Sequence, residues 1–382
     1  MKIDVFASTK VEYELPKEEA VLLSGKAAGI CYMPDDIEVL LNEPEEKTIK
    51  RANNTLKMGH HSVFDHVNYN LILSGIPKIL AMILNNEGMY TTSEKSARYT
   101  KMRSTGKEKE LYEKWVEKYQ NLILDTYPEM KEKQALKLAQ ENARYLISIF
   151  TPATTMAYTT SLRQLNYIYH FFENYIKKEP DTGFNTKLKP VLEEFNNHIE
   201  PLIVDNLNAD TKGRTISLFA KRDYQEEFGE CYSTNYMGTF AQYAQIQRHR
   251  TLRYNLKIEE NASFYIPRIL SKKTDLIEEW KTDIISLREN YPQGMLIKIN
   301  ERGTVEDFIL KTKERLCGCV QLETMIQTKE TLDKYIAATE KKNPEVHQYL
   351  QNYASGVRCR FKDFSCTSPC MWGPKNALSR LI

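Results

Sequence analysis

The order of elements along the chain runs twice, and that constrains the fold more than any single motif. Residues 62–74, SVFDHVNYNLILS, are rich in β-branched and aromatic side chains and predict a strand. Residues 76–86 predict a short helix with Pro77 near its start. A polar turn follows. Residues 108–178 then read as largely helical, interrupted near Tyr127-Pro128 and Thr151-Pro152, where proline disfavours helix at the residue before it. Residues 186–200 predict another helix, ending near Pro201. A second cycle then begins. RTISLFAK and EEFGECYST read as strands, 238–253 as a helix and 304–338 as a long helical region. Ahead of the first cycle, 37–58 predicts an amphipathic helix with Ile37, Leu40, Leu41 and Ile49 on one side. The expectation is an α+β fold of two similar halves, each a small sheet with long helices, divided as 1–200 and 201–382.

Composition narrows the function. The chain has 382 residues, 53 basic and 51 acidic, for a formal net charge of +2. A general nucleic-acid binder carries a marked basic excess, so nucleic acid is not an expected partner. No apolar run reaches membrane-spanning length, and MKIDVFASTKVEYELPKEEA lacks the long apolar core of a signal peptide. A cytoplasmic protein with cysteines as thiols is expected. Five cysteines fall late, at Cys317, Cys319, Cys359, Cys366 and Cys370, but C-x-C and C-x3-C are not zinc-knuckle spacings. His60, His61 and His66 have no evident fourth ligand, and His170 and His347 read as structural. No metal is expected.

Two polar clusters remain. In TTSEKSARYTKM, Glu94, Ser96 and Arg98 alternate, so an extended backbone points all three the same way. A hydroxyl beside a guanidinium cradles a phosphate, and a carboxylate next to them accepts from a sugar hydroxyl or ring N–H. In QIQRHRTLRYN, Gln245 and Arg248 stand at i and i+3 of a predicted helix, with His249 at i+4. A converging amide and guanidinium suit a nucleobase or a flavin ring. Either cluster alone reads equally as an ordinary solvated turn.

Together they resemble the flavin-dependent thymidylate synthases, whose signature runs Q-x-x-R-H-R, asparagine, then E-x-S-x-R-Y within one helix and loop. Here it is split. The second half carries Gln245, Arg248, His249, Arg250 and Asn255, then Leu256, Ile258 and Glu260 where the family has Glu, Ser and Arg. The first half carries Ile83, Asn86, Glu87 and Gly88 in the first positions, then Glu94, Ser96, Arg98 and Tyr99. GHHSVFDHVNYN resembles the family's G-H-x-S-x-F-E-H, with Asp65 replacing glutamate and His66 as the histidine. AAGICY resembles the end of its N-terminal helix, and ENARYLISIFTP its A-R-x-x-L-P, placing Arg144. INERG resembles N-x-R through Asn300 and Arg302. ERLCGCVQLE resembles R-x4-A-Q-x-E through Arg315, Gln321 and Glu323, with Cys319 replacing a histidine. The chain looks like two family domains in tandem. Residues 1–200 carry H-x4-DH and E-x-S-x-R-Y, and residues 201–382 carry Q-x-x-R-H-R and R-x4-V-Q-x-E.

The resemblance implies methylation of dUMP to dTMP with FAD as cofactor and methylenetetrahydrofolate and NADPH as co-substrates. Glu94, Ser96, Ala97, Arg98, Arg144, Gln245, Arg248 and Arg315 would bind the nucleotide, with Arg248 and Arg315 acting on the uracil. His66, Arg248, His249, Arg250, Asn255, Asn300 and Arg302 would line the cofactor. Family sites form between subunits of a homotetramer, so a homodimer of this doubled chain would mimic it. One composite site, pairing the first half's E-x-S-x-R with the second half's R-H-R, keeps its polar groups. The other, pairing Asn86, Glu87 and Gly88 with Ile258 and Glu260, does not. Alternatives are one-carbon transfer to another pyrimidine nucleotide, and a non-catalytic flavin or nucleotide binder. RNA binding through RHRTLR is opposed by the near-zero net charge.

Overall fold

A computed structural model describes residues 17–30, 37–96, 102–367 and 369–382. Its strands form two antiparallel sheets. The first holds β1 (Asn68–Ile76), β2 (Tyr90–Glu94) and β3 (Thr154–Ser161) in the order β1-β3-β2. The second holds β4 (Glu227–Phe228), β5 (Cys231–Thr239), β6 (Arg253–Lys257) and β7 (Leu296–Thr304) in the order β4-β5-β7-β6. Helices fill the rest. They are α1 (Lys17–Ile30), α2 (Ile37–Leu41), α3 (Glu45–Lys57), α4 (Lys78–Leu84), α5 (Gly106–Thr126), α6 (Glu132–Ala143), α7 (Leu162–Lys178) and α8 (Gly183–Ile199) before the second sheet. With and after it come α9 (Phe240–Ile246), α10 (Thr274–Ile285), α11 (Val305–Arg315), α12 (Leu322–Thr339), α13 (Pro344–Gln351) and α14 (Gly373–Asn376). No helix among the described residues is long and apolar enough to cross a membrane.

The sheets repeat one local design. In each, a strand runs into a seven-residue helix (α4 after Pro77, α9 after Thr239) and returns as an edge strand. In each, a later strand inserts between the two. Register is shared as well. β1 opens with Asn68 opposite Ser161, and β5 with Cys231 opposite Thr304. Ser161 and Thr304 then cap the helix that follows, accepting from Gln164 N at 3.1 Å and Asp307 N at 3.3 Å.

The halves meet along 145–149 and 291–295. Gln293 N donates to Ile147 O at 2.8 Å, Gly294 N to Tyr145 O at 2.8 Å and Ile149 N to Tyr291 O at 3.0 Å. A side chain at Gly294 would put its Cβ 2.8 Å from the Tyr145 Cβ, so this seam requires glycine. Trp115 and Trp280 join α5 to α10 edge to face at 4.9 Å, which makes the core continuous across the seam.

Several expected elements differ. The predicted helix over 37–58 is two helices, because Pro44 interrupts it and starts α3. The strand expected from 62 begins only at Asn68, behind a 3₁₀ turn over His61–His66 that buries Val63 and Phe64. The stretch 108–178 contains β3, whose buried Thr154, Met156 and Tyr158 alternate with exposed Thr155 and Ala157 in a strand period. RTISLFAK forms no strand. It holds one 3₁₀ turn, Ser217–Phe219, whose carbonyls are satisfied by the Asn255 side chain rather than a ladder. The helix expected over 238–253 stops at Ile246 and gives way to β6 at Arg253. The helix expected over 304–338 breaks across 316–321.

Candidate active site

Glu94 ends β2, at the edge of the first sheet. Its carboxylate is almost wholly buried, and Oε1 accepts from Lys78 Nζ and from Thr154 Oγ1 at 3.1 Å. Arg248, from the second half, brings Nη2 to 3.6 Å from Glu94 Oε2. Arg248 stands in the turn between α9 and β6, not on the helix as expected. Gln245 is on α9 and the R-H-R run follows its end. That turn grips the first sheet a second time, since Arg250 Nη1 donates to Tyr90 O at 3.0 Å and its guanidinium lies 5.9 Å from the Tyr90 ring centre.

Around this contact lie further groups from both halves. Arg144, buried in the turn after α6, donates through Nη2 to Gln321 Oε1. Gln321 donates to Tyr145 OH, which donates to Glu323 Oε2 at 2.8 Å. The Arg144 and Arg248 charges both act on Lys78. Burial lowers the Lys78 pKa, and Glu94 opposes that shift. Burial raises Glu323 to about 7 against the hydrogen bonds from Tyr145 and Thr239. His249 is driven down to about 2, first by burial and then by the Arg315 and Lys311 charges, so it is a neutral imidazole at physiological pH. Arg315 ends α11, half-buried. Lys78 and Arg248 thus meet at Glu94, with the Arg144 charge felt at Lys78 and the Arg315 charge at the neighbouring His249, a set that favours an anionic ligand.

The other expected residues divide. Ser96 lies just past β2, half-buried, while Ala97 and Arg98 lie outside the described residues. Asn255 is engaged within its own half, donating to Ser217 O, Leu218 O and Ala220 O. Asn300 is buried in β7 and donates to Ser233 Oγ, Thr234 O and Asn235 Oδ1. Arg302 lies over the Tyr224 ring at 3.5 Å. His66 ends its 3₁₀ turn exposed, and the adjacent Asp65 accepts from Ser161 Oγ at 2.7 Å and pairs with Arg163 at 2.8 Å. His61 is held by Asn208 and the Leu56 carbonyl. Sequence reasoning passed over Lys78, Thr154 and Tyr145. A lysine inside the otherwise apolar KILAMIL was the available signal for the first.

At the opposite end of the repeat, Asn86 and Glu87 take the places of Arg248 and His249 and bind the chain itself. Asn86 Nδ2 donates to Ser217 Oγ at 2.8 Å and to Tyr254 O at 3.3 Å. Glu87 Oε1 accepts from the Ser217 backbone N–H. Burial raises the Glu87 pKa from 4.5 to about 7. A carboxyl whose folded pKa is raised contributes stability that is fully present below its unfolded value and lost as pH rises through the folded one. The wild type should therefore lose up to about 3 kcal/mol between pH 5 and pH 8 through this group. Unfolding free energies from urea titrations at those two pH values should draw together by that amount in Glu87→Gln, and an unchanged gap would clear Glu87 of the role.

Residues 14–198 match the family described as thymidylate synthase complementing protein. The flavin-dependent thymidylate synthase of Clostridium tetani (strain Massachusetts / E88) is 28% identical over 179 residues, covering 41% of this chain and 70% of that protein. The matched stretch, residues 14–198, is thus similar to the flavin-dependent thymidylate synthases.

Proposed function

We propose that this chain methylates dUMP to dTMP with bound FAD, taking the one-carbon unit from methylenetetrahydrofolate and reducing equivalents from NADPH. We further propose that its two halves are tandem family domains sharing one working site. The observation that carries this reading is the 3.6 Å approach of Arg248, in the second half, to Glu94, in the first. The likeness of residues 14–198 to the flavin-dependent thymidylate synthases supports the reaction class.

Each residue's part follows from its chemistry. Gln245 Oε1 is buried and meets no hydrogen-bond partner among the described residues, which fits an amide reserved for a ring N–H. Buried His249 Nε2 likewise makes no hydrogen bond, and a neutral imidazole beside a flavin fits an uncharged ring edge. Arg248 and Arg315 would face the uracil carbonyls and stabilise the negative charge that gathers there during reaction. Arg144, fixed by Gln321, would contact the nucleotide, and Glu94 its sugar side. Reduced flavin, when bound, supplies the hydride that completes the methyl group. Asn86 and Glu87 hold Ser217 at the counterpart position, so that place would take no nucleotide.

The reading has a direct test. Purified protein should carry one FAD per chain by its absorbance, and should form dTMP from dUMP, methylenetetrahydrofolate and NADPH. Two competent flavins per chain would refute the single composite site. A flavin-loaded protein that binds dUMP yet yields no dTMP would refute the reaction.

A further inference from the structure

We propose that Lys78 is a positioning residue of the nucleotide site, holding the Glu94 carboxylate so that its second oxygen faces the ligand beside Arg248. The proposal rests on the composite-site reading above. Lys78 opens α4 and is buried, and its Nζ donates to Glu94 Oε1. Thr154 Oγ1 reaches the same oxygen at 3.1 Å. With Oε1 doubly occupied, Oε2 is buried and meets no hydrogen-bond partner among the described residues, 3.6 Å from Arg248 Nη2. A carboxylate oxygen kept dry and unsatisfied costs stability unless a ligand completes it.

The second half supplies an internal control. α9 opens with Phe240 where α4 opens with Lys78. Leu256 pairs with Ile299 in the register in which Glu94 pairs with Met156. Ile297 lies two residues before Ile299 on β7, as Thr154 lies two before Met156 on β3. All three counterparts are buried and apolar. The same local fold is thus built once with Lys–Glu–Thr and once with Phe–Leu–Ile. Packing does not demand the charged trio, and that trio sits where Arg248 arrives. A buried ion pair replaced by apolar side chains of similar size commonly folds as well or better, so the trio is not explained by stability.

The test uses the full chain and titrates dUMP, dCMP and FAD by calorimetry. Lys78→Met should weaken binding of the nucleotide that the wild type takes by roughly tenfold or more, and Lys78→Arg should restore most of it. The double variant Lys78→Phe/Glu94→Leu copies the other half. It should melt near the wild-type temperature and still bind nucleotide at least roughly tenfold more weakly. Wild-type nucleotide affinity in Lys78→Met or in the double variant would overturn the proposal. If the wild type takes dCMP and not dUMP, the dUMP reading fails while the Lys78 comparison proceeds on dCMP. If it takes neither, both fall.

Discussion

Co-expressed Glu94→Ala and Arg248→Ala chains should regain no activity, whatever assemblies they form. The reason is geometric. Arg248 Nη2 and Glu94 Oε2 stand 3.6 Å apart within one chain, so every site in a mixed assembly carries one of the two substitutions. A site built across subunits, as the resemblance to the tetrameric family implies, would behave otherwise. One of its two sites would hold both wild-type residues and activity would reappear. Each single substitution should be severe. Truncating one partner of a buried charge pair costs about 2–5 kcal/mol, and the partly exposed Arg248 falls toward the lower end. That is roughly thirtyfold or more in dUMP affinity. Arg250→Ala should cost less, because it removes one hydrogen bond to the Tyr90 carbonyl at an exposed position. Recovered turnover in the mixed assembly would place the working contact between chains. Full activity in either single variant would return Arg248 to the role of an ordinary surface turn.

The motif pairing was legible because it depends on residue order. Glu94, Ser96 and Arg98 alternate in a strand period, and Gln245 precedes Arg248 by three, so each half-motif could be read locally. The uneven split of polar groups between the halves could be read too, since Leu256 and Ile258 lack the polar atoms of Glu94 and Ser96. What escaped depends on tertiary context. β3 carries adjacent threonines at 154–155 and 159–160 within a proline-punctuated, largely helical stretch, and its strand character comes from the partners on both sides. Asn255 matches the family asparagine by position, yet its amide is taken up by the carbonyls of 217–220. No local pattern announces that a distant loop will arrive there. Lys78 is the converse case. A lone lysine in an apolar helix invites a snorkelling explanation, and only the fold brings Glu94 to it, with Thr154 on the same carboxylate oxygen.

Breaking the Lys311–Glu301 pair should cost about 3–5 kcal/mol of stability in Lys311→Met. Both side chains are fully buried. Lys311 Nζ donates to the two Glu301 oxygens at 2.9 and 2.7 Å, and the same carboxylate accepts from Tyr232 OH at 2.7 Å and Tyr236 OH at 2.9 Å. Burial lowers the Lys311 pKa while Glu301 raises it, so the ammonium depends on its partner. Removing the lysine strands a carboxylate in the core. Removing both charges, in Lys311→Met/Glu301→Leu, should recover much of the loss, which separates the cost of an orphaned charge from the net value of the pair. The consequence should reach the site. Lys311 and Arg315 stand one turn apart on α11, and both charges act on His249. If the pair fixes α11 against β7, Lys311→Met should weaken dUMP binding even where the protein remains folded. The double variant should restore urea stability first and binding only as far as Arg315 returns to place. A Lys311→Met protein that unfolds within about 1 kcal/mol of the wild type would mean that the carboxylate is satisfied by Tyr232 and Tyr236 alone, and the pin would then lie elsewhere.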